Sequence, residues 1–176
     1  MAQRRSAEGF TLIELVVVVT IIGILTAYGI PQYIRAVEST KADDAIATVR
    51  TLAAANRMAS MDLNVTILRA GQLASSCNGG ACPATGAVDG CDLVKCKYMA
   101  TQDWDNRPYL FNAVNGSGSS CGGKAFSSPN VVACAVRKTS GAASTSIPPY
   151  TTWAFGIDTN GGIQALGTNP PTVTGL

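Results

Sequence analysis

The chain has 176 residues, enough for one ordinary domain. Lys and Arg number 13 against 11 Asp and Glu, and a net charge of +2 gives no broad basic field for nucleic acid. There is no His, which excludes His-based acid–base catalysis and His metal ligation.

Residues 1–9, MAQRRSAEG, are polar and carry Arg4 and Arg5. Residues 10–34 contain a single charge, Glu14, and residues 15–30 contain none. A bilayer span takes ~20 apolar residues. Spanning therefore needs residues 10–13 as well and must tolerate Glu14. An ordinary cleaved signal peptide could use Ala27-Tyr28-Gly29 as its cut site. Glu14 inside the apolar core and Pro31 just after the cut argue against that reading. A plain single-pass anchor leaves Glu14 unexplained, since a carboxylate deep in a bilayer costs ~2.5–3.5 kcal/mol and normally marks function. Twin-arginine export from Arg4-Arg5 is set aside, because Ser6-Ala7-Glu8 is not the apolar run that route prefers.

The run Gly9-Phe10-Thr11-Leu12-Ile13-Glu14, followed by the apolar stretch, resembles the class III signal of type IV pilins and their pseudopilin relatives. The resemblance rests on a short basic leader, Gly then Phe, Glu four residues beyond the Phe, and Gly23 and Pro31 farther on. It implies that a prepilin peptidase cuts between Gly9 and Phe10 and methylates the new amine on Phe10. Glu8 stands where many relatives have a basic residue, yet the leader stays net positive.

The chemistry gives these residues reasons. Cleavage creates a charged amine on Phe10, and Glu14 lies four residues on, on roughly the same helix face. Either charge alone is costly in lipid. Pairing one subunit's amine with its neighbour's carboxylate offsets both costs and sets the register between subunits. That role for Glu14 is implied by the resemblance; the alternative is a Glu14 that pairs only within its own chain. Gly9 lets the peptidase approach the scissile backbone. Gly23 and Gly29 allow close helix contacts in lipid, and Pro31 removes a helix hydrogen bond and should kink or loosen the helix. In filaments of the resembled family, the region between the matching Gly and Pro can be unwound.

From Gln32 onward, charged and apolar residues alternate at spacings of three and four, with no Gly or Pro until Gly71. This predicts an amphipathic continuation of the helix. A helix from Phe10 to about Asp62 would be roughly 80 Å long. Arg35 and Glu38 read as a solvated or intersubunit face. The expected organisation is a leader at 1–9, a membrane or filament-core helix at 10–31, its amphipathic continuation at 32–62, and a loop-rich β domain at 63–176.

Residues 71–130 are punctuated by Gly, Ser, Asn and Pro and read as loop with little regular structure. Strands are expected at 109–114 (Tyr109, Phe111 and Ala113 on one face), 131–137 (Val132, Cys134 and Val136 on one face), 153–158 (Trp153, Phe155 and Ile157 on one face) and 163–166. Asp158-Thr159-Asn160-Gly161-Gly162 predicts a hairpin between the last two. Asp158 and Asn160 are also a weak calcium candidate, although the loop lacks further carboxylates and a plain turn is favoured. Residues 103–109, DWDNRPY, partly resemble the Trp-Gly-x-Pro-Tyr stretch of pseudopilins.

The six cysteines, Cys77, Cys82, Cys91, Cys96, Cys121 and Cys134, read as a disulfide framework in an exported domain. Six allow 15 pairings. Neighbour pairing is the working expectation: Cys77–Cys82, Cys91–Cys96 and Cys121–Cys134. A zinc site from the first four is the alternative, though both pairs are C-x4-C rather than the C-x2-C spacing usual for zinc.

The expected fold is α+β: a long helix, transmembrane in its first half, on a small disulfide-stabilised antiparallel sheet. The resemblance implies a type IV pilus subunit rather than an enzyme, serving adhesion, motility or DNA uptake. Its partners would be identical or related subunits, the prepilin peptidase and a pilus assembly platform. It would lie in the inner membrane before assembly and in an extracellular pilus afterwards. No cofactor, metal or specific nucleic acid is expected. The alternatives are a pseudopilin of a type II secretion system, in a periplasmic pseudopilus, and a membrane-anchored binding module that never polymerises.

Overall fold

The computed structural model describes residues 10–64, 70–83, 89–145 and 147–172. The first helix, α1, runs Leu12–Asp62 without a break and contains Pro31. It begins two residues later than the sequence suggests, because Thr11 serves as its cap. The chain divides after Ser39 into two compact units, each described separately below.

In the second unit, α1 contributes a buried face of Ala42, Ala45, Val49, Leu52, Ala53 and Ala59. These are mostly small residues at helical spacing, which lets a sheet approach closely. The strands are β1 (Gly71–Gln72), β2 (Tyr109–Ala113), β3 (Ser120–Cys121), β4 (Lys124–Ala125), β5 (Val131–Arg137), β6 (Ala154–Asp158) and β7 (Ile163–Leu166). Five form one antiparallel sheet in the order β1-β2-β5-β6-β7, and β3 pairs with β4 in a separate hairpin.

One face of the sheet packs in the same core as α1, through Tyr109, Phe111, Ala133, Ala135, Trp153, Phe155 and Ile157. Asn56 of α1 is fully buried and donates from Nδ2 to the carbonyls of Val114 at 3.2 Å and Val132 at 3.3 Å. Arg107 reaches α1 as well, donating to Thr48 Oγ1 and pairing with Asp44 at 3.1 Å.

The opposite face is not bare. Cys121, Phe126, Val131, Cys134, Val136 and Ala154 form a second core beneath the segment carrying β3 and β4. Hence every residue of β5 is buried, as its VVACAVR composition allows. A register shift between Val131 and Ala133 corrects one expectation. Val132 packs in the α1 core, while Cys134 and Val136 pack on the other side. One extra residue in a strand flips the side chain's face.

The 71–130 segment also holds more structure than its composition suggests. Besides β1, β3 and β4 it has a 3-10 turn at Ser75–Asn78 and a short helix, α2, at Asp92–Lys95. Asp89 and Asp92 close the entry to α2 by exchanging backbone-to-carboxylate hydrogen bonds of 3.1 and 3.0 Å.

The cysteines form three disulfides: Cys77–Cys91, Cys82–Cys96 and Cys121–Cys134. The third is the expected neighbour pair. The first two correct the Cys77–Cys82 and Cys91–Cys96 expectation, and with them the zinc alternative. The chain runs out from the 3-10 turn and back through α2, so residues 14 apart come together. Cys91 and Cys96 instead flank the two ends of α2. Glu38 is buried, which corrects its reading as a solvated face, whereas Arg35 is exposed.

Candidate functional site

The first unit presents the N-terminal part of α1. Its apolar side chains lie open: Phe10 is 89% exposed, Leu12 81%, and the apolar residues 13–30 are exposed throughout. This stretch is long and apolar enough to cross a membrane. Water-facing apolar area on this scale marks a surface built to be covered by lipid or protein.

Its polar groups are arranged for such a setting. Thr20 Oγ1 donates to the Val16 carbonyl at 2.7 Å, and Thr26 Oγ1 donates to Ile22 and Gly23. Both hydroxyls are thus satisfied inside the helix, as hydrocarbon requires.

Glu14 is held from one side. Its Oε2 accepts from the Thr11 amide at 2.9 Å and from Thr11 Oγ1 at 2.7 Å, and Thr11 Oγ1 accepts from the Glu14 amide at 3.3 Å. Thr11 is therefore the N-cap and Glu14 the third helical residue of a reciprocal capping box. The Thr11-x-x-Glu14 spacing encodes this cap in the sequence, although the expectations above give Thr11 no role. Among the described residues, Oε1 has no hydrogen-bond partner. The carboxylate lies beside Phe10, Ile13, Val17 and Val18 along one groove of the helix.

Gly23 and Gly29 are open, and a Cβ at either would meet nothing within 4 Å. Gly29 lines an apolar groove with Ile22, Leu25 and Tyr33. The helix passes Gly23 and Pro31 as continuous α-helix, so the expected loosening at Pro31 is absent from the single chain. Gly9, with the rest of residues 1–9, lies outside the described residues.

In the second unit, Asp158 stands in the β6–β7 turn. Its Oδ1 accepts from the amides of Asn160 at 2.9 Å and Gly162 at 2.8 Å, and Arg57 Nη2 holds the Asp158 and Thr159 carbonyls. The carboxylate closes the hairpin and the Asn160 contribution is its amide. Among the described residues no group of three or more His, Cys, Asp or Glu is placed to hold a metal. In the 103–109 stretch, Trp104 and Tyr109 are buried core residues, and Trp104 meets Phe111 edge-on at 5.7 Å.

Residues 4–29 match the family described as the prokaryotic N-terminal methylation motif. The chain is 43% identical over 60 residues to the type II secretion system core protein G of Pseudomonas aeruginosa. That match covers 34% of this chain and 42% of the relative, so the chain spans less than half the length of the curated relative it matches. No solved structure matches. With its long N-terminal helix, antiparallel sheet and three disulfides, the chain is pilin-like in fold, and its N-terminal segment is similar to the prokaryotic methylation motif and to a type II secretion core protein.

Proposed function

We propose that the chain is a structural subunit of a type IV pilus, a non-enzymatic protein that polymerises through the N-terminal part of α1. The observation that carries the reading is the exposed apolar run at 10–30, interrupted by one carboxylate that, among the described residues, is gripped by only one oxygen. Prepilin peptidase cuts between Gly9 and Phe10 and methylates Phe10. The new ammonium of one subunit meets Glu14 of its neighbour, and Oε1 is the oxygen left for it. Gly23 and Gly29 give neighbouring helices close approach. Pro31 cannot donate a backbone hydrogen bond, so it is the point where the filament can open the helix. The subunit waits in the inner membrane and leaves it on assembly.

A second reading, a pseudopilin of a type II secretion system, is favoured by the likeness to the secretion core protein G. Both readings share the N-terminal chemistry and differ in where the filament ends.

Intact-mass analysis of filaments sheared from cells tests the main reading. It expects a chain starting at methylated Phe10, and Glu14→Ala should remove the subunit from the sheared fraction while leaving it in the membrane. Absence from sheared filaments, together with a secretion defect in a deletion strain, supports the pseudopilus. Glu14→Ala with unchanged function would sink both and favour an anchored module.

A further inference from the structure

A cavity of about 370 Å³ lies at the far end of β5, on the face of the sheet opposite α1, beside Leu110 and Val136. Three cations line it, Lys124, Arg137 and Lys138, against one carboxylate, Asp105. The hydroxyl residues Ser140 and Thr151 complete the polar wall.

The cations are held by backbone. Lys138 is only 8% exposed, and its ammonium donates to the carbonyls of Trp104 and Asp105. These are dipoles rather than a full counter-charge, and Asp103 acts on Lys138 only through space. Arg137 Nη1 donates to the Pro108 and Ala143 carbonyls, and its guanidinium lies 5.4 Å from the centre of the Tyr109 ring.

The third cation is placed by the β3–β4 hairpin. The Cys121–Cys134 bridge pins that hairpin to β5. Gly122 lets it settle closely, since a Cβ there would come within 2.7 Å of Val136 Cγ2. Lys124 follows two residues later, at the cavity rim.

A concave site lined mainly by one sign of charge, with low-dielectric walls, concentrates the opposite sign. We propose that this cavity binds a small oxyanion-bearing ligand, a phosphate monoester or a carboxylate of roughly monosaccharide size. The volume lies in the range of small-molecule sites. Lys ammonium groups supply point charge to such oxyanions, and the hydroxyls supply donors for ligand oxygens.

The test is calorimetric titration of the full chain in detergent micelles at low salt, with inorganic phosphate and with glucuronate as probes. At least one should bind saturably, which also tells a phosphate ligand from a carboxylate one. Lys124→Glu, at the half-exposed rim, should weaken that binding by at least about tenfold. Lys97→Glu, an exposed cation outside the cavity, should change it by less than about twofold. Lys138→Met should weaken it too; if that variant loses its near-ultraviolet dichroism, the Lys124 and Lys97 pair decides. The proposal is overturned if neither probe saturates, or if Lys97→Glu costs as much as Lys124→Glu.

Discussion

Thr11 donates twice to one oxygen of Glu14, from its amide at 2.9 Å and its hydroxyl at 2.7 Å. The helix start and the Glu14 carboxylate are therefore one structure. Thr11→Val removes the hydroxyl but keeps the shape, and losing an N-cap of this kind costs about 1 kcal/mol of local helix stability. Under the proposed function, filament yield should fall by several-fold in Thr11→Val and be restored by Thr11→Ser. Glu14→Gln should abolish assembly outright. Quantifying sheared filaments from the three strains checks this; equal yields for Thr11→Val and wild type would show that the cap is irrelevant to assembly.

Asn56 sits fully buried between α1 and the sheet, and its amide serves the Val114 and Val132 carbonyls. The Val132 carbonyl also accepts from the Val114 amide, so its loss is partly covered. Asn56→Ala strips a polar partner and opens a small cavity, for an expected loss of about 2–3 kcal/mol. Denaturant unfolding of the detergent-solubilised chain would measure it. A loss below about 0.5 kcal/mol, the usual size of a surface change, contradicts the assigned role.

Gly156 on β6 faces Phe126, and a Cβ there would come within 2.7 Å of the ring. The ring fills the second core, so it has little room to retreat. Gly156→Ala should destabilise by about 1–3 kcal/mol through overpacking. In the Phe126→Ala background most of that penalty should vanish, giving a non-additive double-mutant cycle. Additive effects would mean that the ring is not what the new methyl strikes.

The disulfides make a claim open to peptide mapping. Non-reducing digests should yield Cys77 joined to Cys91 and Cys82 joined to Cys96, never Cys77 to Cys82. Each bridge closes a loop of 13 or 14 residues. In the chain-entropy account a loop of this size is worth about 3 kcal/mol, so Cys82→Ala with Cys96→Ala should lower stability by that order.

Asp103 gives a pH signature. The Asn106 side chain donates to its Oδ2 at 2.6 Å, and this bond chiefly holds the carboxyl below its usual range. A depressed carboxyl stabilises the fold above its unfolded value, near pH ~3.9, and the contribution is lost as pH falls through the lower folded value. Asp103→Asn should therefore flatten the melting-temperature profile in that acid window and leave its shape at neutral pH unchanged. An unaltered acid limb would remove Asp103 from the account.

How much of this could be read from the chain depends on the distance over which each feature is encoded. The long helix is local: an unbroken apolar run followed by charge at helical spacing, with no Gly between Gln32 and Gly71. The β6–β7 hairpin is local too, because Asp158 closes a turn whose Gly161 takes a positive φ of 87°. The cysteine pairing is not local. It follows from the return path through α2, which no spacing rule contains. The second core is non-local for the same reason. The alternation in Val131–Arg137 predicts a strand with one buried face, yet the cover for its other face comes from Cys121 and Phe126, in a segment rich in Gly and Ser. At the N-terminus the resemblance points to Gly9, Phe10, Glu14, Gly23 and Pro31. The Thr11 cap is equally legible and needs only the helix start to be placed two residues later, at Leu12.

The sheet order β1-β2-β5-β6-β7 carries a last consequence. Its outer strands are blunt: β1 is two residues long, and β7 is four residues followed by Gly167 at a φ of 114° and then Pro170 and Pro171. Short or interrupted outer strands offer no template for strand-to-strand addition between copies. Molecules of this kind, crowded side by side, are thereby kept from the amyloid-like route to a fibre. Under the proposed function, the helix is left as the route for polymerisation.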